Sequence, residues 1–146
     1  MKKKNWIFKR LYSVLLISIV LFSCTPFISP FDQYAYTQTT SIKVDALNLM
    51  DLATEDFVSH QAEVKSVQSN IQKIYEYDKN RPKNAIITKM WEKITDTSGH
   101  LFGGFINRWK NEGHLNKTFI QDQKNGNVGP AFDQIAELES KLSKPS

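Results

Sequence analysis

Between Ala46 and Ile74, apolar or semi-apolar residues recur in steps of four and three: Ala46, Met50, Ala53, Phe57, His60, Val64, Val67, Ile71 and Ile74. A seven-residue repeat of this kind marks the seam of a helix that packs on other helices. From Phe31 to Arg81 the chain contains neither Gly nor Pro. The pattern predicts one long helix, straight or slightly kinked, of about 48 residues and ~70 Å. Its weak point is Ala53-Thr54-Glu55-Asp56, where Thr54 is placed to cap a second helix with two acids in its first turn. Ser29-Pro30, a capping hydroxyl followed by proline, suits the helix start.

Asn80-Arg81-Pro82-Lys83-Asn84 reads as a break. A second helix is expected over Ala85 to Thr95, with Ile87, Met90, Trp91 and Ile94 on one face. A third spans Leu101 to Asn111, with Leu101, Phe102, Phe105 and Trp109 inward and Gly113 as its stop. Asn116 can cap a fourth carrying Phe119 and Ile120. Gly126-Asn127-Val128-Gly129-Pro130 interrupts it, and Val128, Ala131, Ile135, Leu138 and Leu142 then resume the seven-residue rhythm. No strand-like alternation occurs. The expected fold is all-α, one long helix with three or four shorter helices packed along it.

The start of the chain changes the picture. Lys2, Lys3, Lys4, Lys9 and Arg10 precede an uncharged apolar run from Leu11 to Phe22, followed by Ser23 and Cys24. The run is too short to span a hydrocarbon core, which takes ~20 residues. Leu21-Phe22-Ser23-Cys24 resembles the lipobox of bacterial lipoprotein signal peptides, although Phe22 stands where a small or aliphatic residue is usual. The resemblance implies a signal peptide over 1–23, a lipidated cysteine and short tether over 24–29, and a single helical domain over 30–146. It also implies diacylglyceryl attachment at Cys24 and durable anchoring through two or more acyl chains. Thr25, rather than aspartate, after the cysteine implies the periplasmic face of the outer membrane.

The basic balance belongs to that signal. The chain has 19 Lys and Arg against 15 Asp and Glu, but five of the bases and none of the acids lie in the first ten residues. Without them 14 bases face 15 acids, a net charge near −1, and basicity no longer argues for nucleic acid. Cys24 is the one cysteine. Once it is lipidated, no disulfide, thiolate metal site or cysteine nucleophile can form.

Few residues suggest chemistry. His60 lies on the seam with Asp56 one turn before it, a pair that reads either as a pH sensor or metal ligand, or as a packed histidine oriented by its neighbour. His100 and His114 have no partner at ligand spacing, and no His-Glu-x-x-His or Glu-x-x-His pattern occurs. Phe102-Gly103-Gly104-Phe105 is the most unusual string, because Gly-Gly costs a helix about 2 kcal/mol relative to Ala-Ala. Close packing against the long helix between Phe57 and Ile74 is the expected compensation; a partner groove and a ligand pocket are the other readings. The aromatics Phe27, Phe31, Tyr34 and Tyr36 fit either a small core cluster or the lipid headgroup layer.

The expected function is non-enzymatic: a membrane-tethered adaptor, assembly or exclusion factor of the bacterial cell envelope, with an envelope protein as partner, no nucleic acid and no cofactor. The rival is a lipoprotein that holds a small apolar ligand among Trp91, Phe102, Phe105 and Trp109. Contact residues for either are Trp91, Phe102, Gly103, Gly104, Phe105 and Trp109. Cys24→Ser is expected to release the protein from membranes or leave it as uncleaved precursor. Fractionation that finds the variant mature and still membrane-bound would sink the lipoprotein reading.

Overall fold

A computed structural model of the protein describes residues 31–140. The signal segment, Cys24, the tether, Phe27, the Ser29-Pro30 start and Leu142 lie outside the described residues. Among those described, the fold is all-α without strands.

The first helix, α1, is Gln33–Asp51, with the Asp32 carboxylate accepting from the Ala35 amide as its cap. The expected single long helix does not continue past it. A 3₁₀ turn over Leu52–Thr54, extended backbone at Glu55 and Asp56, and a second 3₁₀ turn over Phe57–His60 lead into α2, Gln61–Lys79. The chain reverses there, so α1 and α2 pack antiparallel, with Tyr34 against Tyr77 at one end and Leu49 near Val67 further along. The break falls at the weak point of the sequence, but the cap is Asp56, which accepts from the Val58 amide, and not Thr54. The seam itself holds: Ala46, Met50, Ala53, Phe57, Val64, Val67, Ile71 and Ile74 are buried.

Distant residues sustain the reversal. The Phe57 amide donates to the Gly113 carbonyl at 2.8 Å, and the Leu115 amide donates to the Ala53 carbonyl at 2.6 Å. The Trp109 indole N–H donates to the Glu55 carbonyl at 3.0 Å. Backbone groups released by the broken helix are thus satisfied by the end of α4 and the turn after it.

Helix α3 is Ala85–Thr95 and α4 is Phe102–Glu112, ended by Gly113 at φ 81°. Helix α5, Lys117–Gln123, starts at Asn116, whose side chain accepts from the Thr118 amide. The Gly-Pro interruption expected before the last helix is absent. A π turn over Lys124–Val128 joins α5 directly to α6, Gly129–Ser140, with the Gly129 amide donating to the Lys124 carbonyl. A Cβ at Gly129 would press on that carbonyl at 2.6 Å. Pro130 has no N–H to give, and the wider turn absorbs the loss. The buried stripe of α6 is Phe132, Ile135, Ala136 and Glu139; Ala131 and Leu138, expected inward, are only half-buried.

The two glycines of α4 serve close approach, but not to α2 as expected. A Cβ on Gly103 would overlap the Thr95 carbonyl, and one on Gly104 would overlap the Gly99 carbonyl. They let α4 fold tightly back on the end of α3. Gly103→Ala and Gly104→Ala are each expected to destabilise the domain by about 1–3 kcal/mol through overpacking. Gly126→Ala, whose added Cβ would meet nothing within 4 Å, is the control and should be neutral or stabilising. Denaturant melts that leave all three variants alike would reject the close-approach role.

Candidate functional site

Two places concentrate polar or open surface. The first is a groove of about 510 Å³ between α2 and α4. Its floor is Phe57, Val64 and Ile106, all at most 9 % exposed. Gln61, Lys65 and Gln68 come from one side and Asn107 and Lys110 from the other, with Thr97 and Gly103 at one edge. The groove exists because α4 turns back onto α3, leaving a furrow beside the first turns of α2. Its lining carries two lysines and no acid.

The second is a buried charge cluster where the start of α1, the end of α2 and the start of α3 meet α6 near Glu139. The Arg81 guanidinium donates from Nη1 to both Glu139 oxygens, at 2.7 and 2.8 Å, and to Asp78 Oδ1 at 3.0 Å. Asp78 is fully buried and its other oxygen accepts from the Trp91 indole N–H at 2.7 Å. Asn84, also buried, donates to the Asp78 carbonyl at 3.0 Å. Asp32 lies 3.7 Å from Arg81 Nε and accepts from the Tyr77 hydroxyl at 2.7 Å. A buried charge is tolerated only when paired and hydrogen-bonded in this way.

The environment moves these groups apart. Burial pushes the Glu139 carboxyl above its usual range; Arg81 opposes this, while Asp78 and Asp32 add to it. Burial also acts upward on Asp32, but the Ala35 amide, the Tyr77 hydroxyl and Arg81 outweigh it and hold that carboxyl low.

His60 closes the α1–α2 turn. Its Nε2 lies 2.9 Å from Glu55 and its Nδ1 3.6 Å from Glu63, with the Trp109 ring 5.8 Å away. Asp56, the neighbour expected to orient it, caps Val58 instead. The hydrogen bond to Glu55 raises the imidazole pKa against some desolvation, with Glu63 adding to it.

The sequence-predicted contact residues are placed mainly inside. Trp91, Phe102, Phe105 and Trp109 are all at most 3 % exposed, and both indole N–H groups are bonded within the chain. Trp91 packs edge-on to Phe132, and Trp109 edge-on to Phe57. Gly103 edges the groove, and Gly104 and Phe105 line a small hollow with Arg108 and Phe119. The residues missed by pattern reading are Lys65, Gln68, Ile106 and Lys110 in the groove and Asp32, Asp78, Arg81 and Glu139 in the cluster. This cluster gathers polar side chains that pattern reading left apart. Its signal was available: continuing the seam beyond Ile74 by four and then three residues lands on Asp78 and Arg81.

Among the described residues, no group of three or more His, Cys, Asp or Glu side chains is arranged to hold a metal ion, and no helix is long and apolar enough to cross a membrane. Compared with known proteins, the chain matches no family model, no curated protein and no solved structure.

The shifts fix a pH dependence. The folded state holds the Glu139 proton to higher pH than the unfolded chain, whose value is near 4.5, so stability falls as pH rises through that window. The His60 contribution is fully present below the unfolded value of 6.5 and is lost as pH rises through the raised folded value. Asp32 has the opposite sign, losing its contribution only as pH falls below 3.8. The melting temperature is expected to fall between about pH 5 and pH 8. Glu139→Gln should flatten the lower part of that fall and His60→Gln the upper part. A wild-type profile that is level or rises over this range contradicts both assignments.

Proposed function

We propose that the protein is a non-enzymatic, lipid-anchored helical adaptor of the bacterial cell envelope, which engages a protein partner through the groove between α2 and α4. The observation that carries the reading is the composition of that groove. It has an apolar floor of Phe57, Val64 and Ile106, a rim of Lys65, Lys110 and side-chain amides, and no acid. Such a surface suits an acidic segment with apolar anchors. The buried ion pairs support the same reading, because their polar groups satisfy one another and are spent on holding helices together.

The anchor rests on the lipobox resemblance at Cys24. A small apolar ligand is the second reading. The groove volume of about 510 Å³ favours it, being of the size that such ligands occupy.

Photo-crosslinking side chains at positions 61 and 68, which line the same groove, in the full chain in its native envelope, separate the two. A protein adduct is expected, with the crosslink mapped by mass to an acidic segment of the partner. Lys65→Glu combined with Lys110→Glu should abolish the adduct without lowering the melting temperature, as both side chains lie on the surface. An adduct that survives both charge reversals overturns the groove as the docking site. Absence of any protein adduct, together with an apolar molecule co-purifying in the groove, supports the ligand reading instead.

A further inference from the structure

The antiparallel packing of α1 and α2 gives the domain two ends. Phe31 and the first turn of α1, the last turn of α2, the 80–84 turn and the start of α3 meet at one pole. The α1–α2 turn and the groove lie at the other, about 28 Å away along a helix of 19 residues. Exposed large apolar and aromatic side chains are not evenly spread between them. Of six among the described residues, four are at the first pole: Phe31, Tyr34, Tyr77 and Ile86. Tyr34 is 52 % and Tyr77 39 % exposed, and their rings meet edge to face at 4.9 Å.

We propose that this pole rests in the headgroup layer of the bilayer that holds Cys24. The inference depends on the lipoprotein reading of Cys24 and adds an orientation to it. Cys24 precedes Phe31 by seven residues. Fully extended, that stretch reaches at most about 25 Å, so the pole from which α1 starts is held beside the membrane. Aromatic side chains with one wet end favour the boundary between headgroups and acyl chains; Tyr34 and Tyr77 are of that kind, with the wholly apolar Phe31 at the same pole. Lys79 and Lys83 are exposed at the same end, where an ammonium can meet lipid phosphate. Lys79 is 3.9 Å from Glu76, and Asp32 is engaged by Tyr77 and Arg81, so the face is mixed in charge. The contact is therefore interfacial rather than electrostatic, and it holds on zwitterionic lipid. The groove then opens towards the aqueous side, at the end remote from the anchor.

A lipidated chain has no other thiol, so an introduced cysteine is a unique labelling site. Tyr34→Cys and Val58→Cys, the latter at the remote pole, carry an environment-sensitive fluorophore in full-length lipidated protein on phosphatidylcholine vesicles containing headgroup-level nitroxide lipid. The label at 34 is expected to be quenched and blue-shifted, in low and high salt alike, and the label at 58 to be unaffected. Equal, unquenched labels on protein that is acylated and vesicle-bound overturn the orientation and leave the lipoprotein reading standing. A label at 34 that is unquenched on vesicles yet shielded in native envelopes also overturns it and assigns the face to a protein. Mass measurement showing Cys24 without acyl chains overturns the lipoprotein reading and this proposal with it.

Discussion

At one end of the bundle a guanidinium is sealed among carboxylates. Arg81 sits between Glu139 and Asp78, with Asp32 at its Nε side, and each acid comes from a different stretch of chain. Asp32 opens α1, Asp78 lies in the last turn of α2 and Glu139 belongs to α6. Removing the cation would leave two buried carboxylates with no counter-charge, so the four elements that meet there hold or part together. Apolar packing brings helices side by side, but it is tolerant of sliding. A buried ion pair with directed hydrogen bonds is not, and it holds these elements in one register relative to one another.

The opposite end is organised by backbone rather than by charge. Breaking the α1–α2 helix frees carbonyls and amides around Ala53, Glu55 and Phe57, and these are taken up by Trp109, Gly113 and Leu115. The same contacts draw α4 towards the turn while its two glycines pull it onto α3. The groove floored by Phe57, Val64 and Ile106 is the space left between those two demands. Its shape is thus a by-product of how a broken helix satisfies its loose ends.

Much of this was legible in the residues. The seam from Ala46 to Ile74 is buried as its spacing requires except at His60, which is half-buried; α3 spans the residues expected, and the Asn116 cap and Gly113 stop are both present. The helix break was not legible as a certainty, because the four-and-three rhythm runs through it unchanged. Both helices of a hairpin face one core, so periodicity alone cannot tell a hairpin from a rod. What decides is hydrogen bonding from residues more than 50 positions away, which no local pattern carries. The charge cluster lay on the same seam, hidden because Asp78 and Arg81 are charged and a search for apolar positions stops at Ile74. Glu139 was hidden for another reason: the stripe expected on the last helix, Ala131, Ile135, Leu138 and Leu142, put Leu138 inward and left Glu139 beside it.

That junction sets what the last helix shows to the core. A π turn holds one residue more than the α-helical turn it replaces, and each residue of an α-helix turns the side chains by about 100°. Everything after Val128 is therefore rotated by that amount relative to an uninterrupted helix. Winding the same residues as an uninterrupted α-helix would put each later place in the hands of the residue before: Ala131 where Phe132 packs on Trp91, and Leu138 where Glu139 meets Arg81. The partner of the buried arginine is thus chosen some ten residues upstream, by one extra residue that a wide turn takes up: a one-residue deletion there would leave the charge pair in place, whereas tightening the turn without a deletion would set a leucine against Arg81.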